Sequence, residues 1–114
     1  MKPRLKVGII RYASVGRAIA QALGVSPPPD CRIGRGRITF KFRQTGASGW
    51  PEKDRLVYAL QVADTARALL GADTRRGVRR RVNRAIVIIF EDSYLDRGCD
   101  ISSRWECIIP SDSR

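Results

Sequence analysis

The sequence predicts a two-layer α+β sandwich, a four-stranded mixed sheet with two helices packed on one face, in the order β-α-β-α-β-β. Three patterns predict it. Arg35–Arg43 alternates polar and apolar residues with period two, the mark of a half-buried strand. Residues 51–70 carry apolar side chains at helical spacing. Asn83–Asp92 and Cys99–Ile109 are two strand-like stretches joined by a turn over Asp92–Gly98, as in a hairpin. With only two helices for one sheet, one sheet face is left to solvent or a partner.

Taken in order, Leu5–Ile10 is a short apolar run and reads as a strand. A helix follows from Ser14 to about Leu23, with Val15, Ala18, Ile19, Ala22 and Leu23 on its apolar side and Gly24 where a helix-ending glycine belongs. Ser26–Asp30 contains three consecutive prolines, which lack amide donors, so it reads as an extended connector. In Arg35–Arg43, Ile38, Phe40 and Phe42 face one side, and Arg35, Arg37, Thr39, Lys41 and Arg43 the other. Thr45–Pro51 is a loop, and Pro51 suits a first helical turn. The helix after it buries Leu56, Leu60, Ala63, Ala66, Leu69 and Leu70, and ends at Gly71. Asn83–Asp92 is apolar on both faces, as a central strand should be. In Cys99–Ile109, the set Cys99, Ile101, Trp105, Cys107 and Ile109 points inward, against Asp100, Ser102, Arg104 and Glu106 outward. Residues 1–110 thus read as a single basic domain, followed by a polar tail over 111–114.

The charge narrows the partners. The chain of 114 residues has a net charge of +11, divided unevenly: residues 1–84 hold 19 Lys/Arg against 5 Asp/Glu, and residues 85–114 hold 3 against 6. A basic body beside a mildly acidic hairpin predicts a polyanion partner, or self-association through opposite surfaces. Histidine is absent, which excludes Ser-His-Asp and Cys-His catalysis and imidazole-bound zinc. Three cysteines without C-x-x-C spacing fit neither an internal disulfide framework nor a four-ligand zinc site, and suggest reduced thiols in the cytoplasm. No apolar run approaches the length of a membrane span, so no membrane partner is expected.

Six of the eleven residues from Thr74 to Arg84 are arginine: Arg75, Arg76, Arg79, Arg80, Arg81 and Arg84. Such a run repels itself unless counter-charge arrives from outside. Guanidinium matches phosphate with a planar, bidentate fork. Six phosphate contacts would give a salt slope of roughly −5 on duplex DNA, at about −0.9 per contact. The Arg35/Arg37/Lys41/Arg43 ladder places same-side charges about 6.6–7 Å apart, comparable with successive phosphates on one strand. Two blander uses compete: a solvated connector for the run, and an edge strand charged against aggregation for the ladder. No aromatic residue joins the ladder, so backbone recognition is expected rather than stacking on single-stranded bases.

Other signals are weaker. Val7–Gly16 imitates the strand-turn-helix of a dinucleotide site, but Arg11 and Ala13 stand where the first two glycines belong, so no cofactor is expected. Ser14–Ser26 imitates the first half of a helix-turn-helix, but Pro27, Pro28 and Pro29 replace the start of a recognition helix. Glu91, Asp92, Asp96 and Asp100 match no calcium-loop spacing and read as solubilising charge at the hairpin, with a divalent-cation cluster as the alternative. Cys99 and Cys107 read as core residues and Cys31 as an accessible loop thiol. Trp50 reads as a half-exposed loop aromatic that anchors a partner or staples the next helix.

The element order resembles that of small nucleic-acid-binding folds such as the chromatin protein Alba and the C-terminal domain of translation initiation factor three. The resemblance lies in element order alone and carries no residue over. The expectation is a non-enzymatic module that contacts the backbone of DNA or RNA as a homodimer. An acidic protein surface, including the chain's own second copy, is the competing partner. A small enzyme acting on a phosphorylated substrate is the third class.

Overall fold

The computed structural model describes residues 10–11, 13–34, 36–72 and 84–111. In chain order these form β1 (Ile10–Arg11), α1 (Ala13–Leu23), β2 (Asp30–Gly34), β3 (Arg37–Arg43), a short 3-10 turn (Ala47–Gly49), α2 (Glu52–Ala72), β4 (Ala85–Asp96) and β5 (Cys99–Ile109). The predicted class holds: a mixed sheet with both helices on one face. The strands lie side by side in chain order, β1-β2-β3-β4-β5. Only β3 and β4 run parallel, because α2 carries the chain back between them; the other neighbours are antiparallel.

The sheet has one strand beyond the four expected. β2 follows the prolines directly and alternates buried Cys31 and Ile33 with Arg32. It pairs with β3 through a two-residue turn, with Gly34 opposite Arg37 and Gly36 at φ +70°. A left-handed glycine in a two-residue connection is strong hairpin chemistry. Five residues flanked by glycine and proline were too short for periodicity to betray them. The β4–β5 hairpin turns at Arg97 (φ 52°) and Gly98 (φ 79°), both left-handed. The remainder of the expected first strand, residues 5–9, lies outside the described residues.

The core fills the space between the sheet and helices. Ile38, Phe40 and Phe42 of β3 and Ile86, Ile88 and Phe90 of β4 meet Ala59, Val62, Ala63, Ala66 and Leu70 of α2 and Val15 and Ile19 of α1. The α2 stripe differs from the expected one. Leu56 and Leu60 are 41% and 52% exposed, and Ala59 and Val62 take their place inside. Residues 59, 62, 63, 66 and 70 share a helix face as well as the leucine set does, so periodicity alone admits both rotations. The alanines let the helix approach the sheet closely, and the larger leucines are turned out. On α1 the inward residues are Val15, Gly16, Ile19 and Ala20, while Ala22 is exposed. Gly16 is required by contact: a Cβ there would lie 2.2 Å from the Pro29 carbonyl oxygen. Trp50 is half-buried and packs edge-on against Tyr58 with ring centres 5.6 Å apart, which makes it the staple of α2. Among the described residues, no helix is long and apolar enough to cross a membrane.

Candidate nucleic-acid interface

The sheet face away from the helices is built by strand alternation and registered by the ladders. Arg37, Lys41 and Arg43 all project there, as their period-two spacing predicts. Neighbouring strands add cross-strand rows. Arg32 lies opposite Thr39, which lies opposite Val87, which lies opposite Ile108. Asp30, Lys41, Ile89 and Glu106 form the next row, and Arg43, Glu91 and Arg104 another. Together Asp30, Arg32, Gly34, Arg37, Thr39, Lys41, Val87, Ile89, Arg104 and Glu106 line a shallow trough of about 370 Å³. Val87 and Ile89 are buried on this open face. Lys41 and Arg104 flank them, and long basic side chains of this kind shield apolar surface with their stems while the charged heads stay in water.

The trough is polarised along the strands. At the end where β3 finishes, every cation has a carboxylate: Arg43 is 3.5 Å from Asp30 and Lys41 is 3.9 Å from Glu91. Arg104 sits 3.7 Å from Glu106 on β5. Exposed pairs of this kind contribute only about 0–1 kcal/mol each, so they neutralise more than they stabilise. At the opposite end, where β3 begins, Arg32 and Arg37 have no ion-pair partner among the described residues. The sequence reading placed Arg37, Lys41 and Arg43 on one face. Alternation along β5 also puts Arg104 and Glu106 outward, but that they join this ladder with Arg32, Asp30 and Glu91 depends on register between strands, which one strand's alternation does not reveal.

Arg84 joins the second basic element to this uncompensated end. Its Nη1 donates to the Gly34 carbonyl across the sheet. The Ala85 amide donates to the Gly36 carbonyl at 3.3 Å, and Arg67 Nη1 to the Arg84 carbonyl at 3.3 Å. The chain therefore enters β4 beside the β2–β3 hairpin, next to Arg37. Arg35, Arg75, Arg76, Arg79, Arg80 and Arg81 lie outside the described residues.

The carboxylates at the other end of β4 do not act together. Glu91 lies on the open face beside Lys41, whereas Asp92 turns inward and is 6% exposed. Asp92 Oδ1 accepts from the Thr45 amide at 2.8 Å and the Gly46 amide at 3.4 Å, and Oδ2 accepts from the Ser48 amide at 3.1 Å. Burial by itself would raise this carboxyl's pKa, but the hydrogen bonds from Ser48, Thr45 and Gly46 outweigh it and hold the group below the ordinary carboxylate range. Asp92 thus clamps the loop after β3 to the sheet. Among the described residues, no group of three or more Cys, Asp or Glu side chains is placed to hold a metal ion.

Two of the three thiols, Cys31 and Cys99, reverse the expectation. Cys31 is buried on β2, and desolvation pushes its pKa up to about 12. Cys99 is exposed at the hairpin tip, where β4 and β5 extend past the helices. Cys107 is half-buried, with burial raising its pKa. The inward parity assigned to β5 is right, but α2 does not reach far enough to cover Cys99.

Compared with known proteins, the chain matches no family model, no curated sequence and no solved structure.

Proposed function

We propose that this protein is a non-enzymatic binding module that grips a nucleic-acid backbone, DNA or RNA, through its open sheet face and the arginine-rich segment before β4. One observation carries the reading. The parallel pairing of β3 with β4 brings the end of the arginine run, at Arg84, against the hairpin that presents Arg37. Arg84 thereby lies beside the ladder at one end of one face, although Gly34, which it contacts, is fifty residues away in sequence. Arg32 and Arg37 at that end are free of ion pairs among the described residues, so an arriving phosphate displaces no carboxylate there. The apolar floor of Val87 and Ile89 offers no exposed ring for stacking, which favours backbone over base contacts. The free thiols fit a reducing, cytoplasmic setting.

The test is a titration of fluorescent duplex and single-stranded oligonucleotides at several salt concentrations. The native chain should bind with an affinity that falls steeply with salt. Replacing Arg79, Arg80 and Arg81 together by Glu should weaken binding and flatten that slope. Equal affinity of the native and substituted chains would overturn the proposal.

A further inference from the structure

The outer edge of the sheet points to a partner. β5 ends the strand order, and its 11 residues contain no proline to blunt the edge. Its inward side chains Trp105, Cys107 and Ile109 are only half-buried, because α2 leaves this margin of the sheet partly bare. Leu56 and Leu60 are exposed beside that margin. They share a helix stripe with Arg67, whose Nη2 donates at 2.9 Å to the carbonyl of Pro110 just beyond β5. An open edge, an incompletely covered strand and exposed leucines above it coincide on one side of the molecule.

We infer that β5 pairs antiparallel with β5 of a second copy of this chain, about a two-fold axis beside Trp105, so that Arg104 of each copy faces Glu106 of the other. Charge selects this register. Side chains in an antiparallel pair face one another only when they share a sheet face, so the axis must pass through a residue pair. An axis at Arg104 sets guanidinium against guanidinium, and one at Glu106 sets carboxylate against carboxylate. An axis at Ser103 opposes Asp100 to Glu106. An axis at Ser102 pairs Asp100 with Arg104 but leaves Cys107 to Ile109 unpaired. Only the axis at Trp105 joins opposite charges and keeps the apolar end of the strand inside the contact. It sets Ile101 against Ile109 and Ser103 against Cys107, and brings the two Trp105 rings together. Each ring is already held, stacked on Phe90 at 5.3 Å with Arg55 at 5.8 Å from its centre. Cross-strand pairs of this kind are the unit of sheet stabilisation. The pairing makes one continuous sheet of the two copies, and it does not depend on the polyanion reading.

The experiment needs no nucleic acid. Light scattering of the native chain at tens of micromolar should report a dimer, and exchange of the β5 amides should slow as concentration rises. In a Cys99→Ser background, Ser103→Cys should give an oxidised covalent dimer that disappears when Cys107→Ser is added. Glu106→Arg should raise the dimer dissociation constant by about tenfold or more, and Arg104→Glu combined with Glu106→Arg should restore it. A monomer in the native chain overturns the inference. So does a cross-link that survives Cys107→Ser, or a charge swap that fails to restore pairing in a chain whose circular dichroism is native.

Discussion

Arg84 donates from its guanidinium to the carbonyl of Gly34, fifty residues earlier in the chain. This bond spans from the start of β4 to the end of β2 and crosses the strand that bears the basic ladder. It fixes the last arginine of the run as an anchor, and one of its donors is committed to the fold. It sets Arg84 at the Arg32/Arg37 end of the trough, away from the carboxylates of Asp30, Glu91 and Glu106. Charge is concentrated at one end of the face rather than spread along it.

That polarity predicts unequal contributions from the ladder. Arg37→Ala should reduce the salt slope of nucleic-acid binding by about 0.9, the worth of one phosphate contact. Arg43→Ala should change it less, because that guanidinium already faces Asp30 at 3.5 Å. Affinity measured at four or more salt concentrations separates the two. Equal effects would mean that the ion pairs at the far end open on binding.

Arg84→Ala should cost stability as well as binding. It removes a bond from a charged donor to a backbone carbonyl, worth about 1 kcal/mol in this half-buried setting. Urea unfolding of the Arg84→Ala and Arg37→Ala chains should show the loss only in the former.

Asp92 predicts an acid limb in stability. Its folded pKa lies below the unfolded value of about 3.9, so its contribution is complete above that pH and is lost as pH falls through the folded value. Asp92→Asn should destabilise the fold by about 2 kcal/mol at neutral pH, since an amide nitrogen would face the loop's donors. The difference between the two chains should shrink towards pH 2 in denaturant titrations at stepped pH.

Gly16→Ala should destabilise by about 2 kcal/mol, because the added methyl meets a backbone oxygen that cannot swing aside. Thermal unfolding checks it. Gly49→Ala, where a Cβ meets nothing within 4 Å, serves as the control.

Thiol labelling should follow burial. Cys99 should react first with a maleimide, Cys107 more slowly and Cys31 only on unfolding, since the thiolate is the reactive form and burial suppresses it at Cys31. Mass spectrometry of peptides from a timed labelling reads the order directly.

The sequence by itself determined the class of fold, the half-buried β3, the central β4, the β5 alternation and the cationic face of the ladder. Each of these follows from local periodicity, which is set by backbone geometry and needs no knowledge of neighbours. Composition likewise excluded imidazole chemistry, since the chain has no histidine. Tertiary structure decided the rest. It turned Leu56 and Leu60 outward, because the close approach of α2 favoured small residues inside. It made Cys31 a core thiol by pairing a short strand that periodicity cannot detect. It placed Arg32, Arg104, Asp30, Glu91 and Glu106 beside the ladder, and Arg84 at its head, because registry between strands is a long-range choice. The charge on the face was therefore legible in the sequence, while its concentration at one end came from which strands pair, in which direction and at which residue.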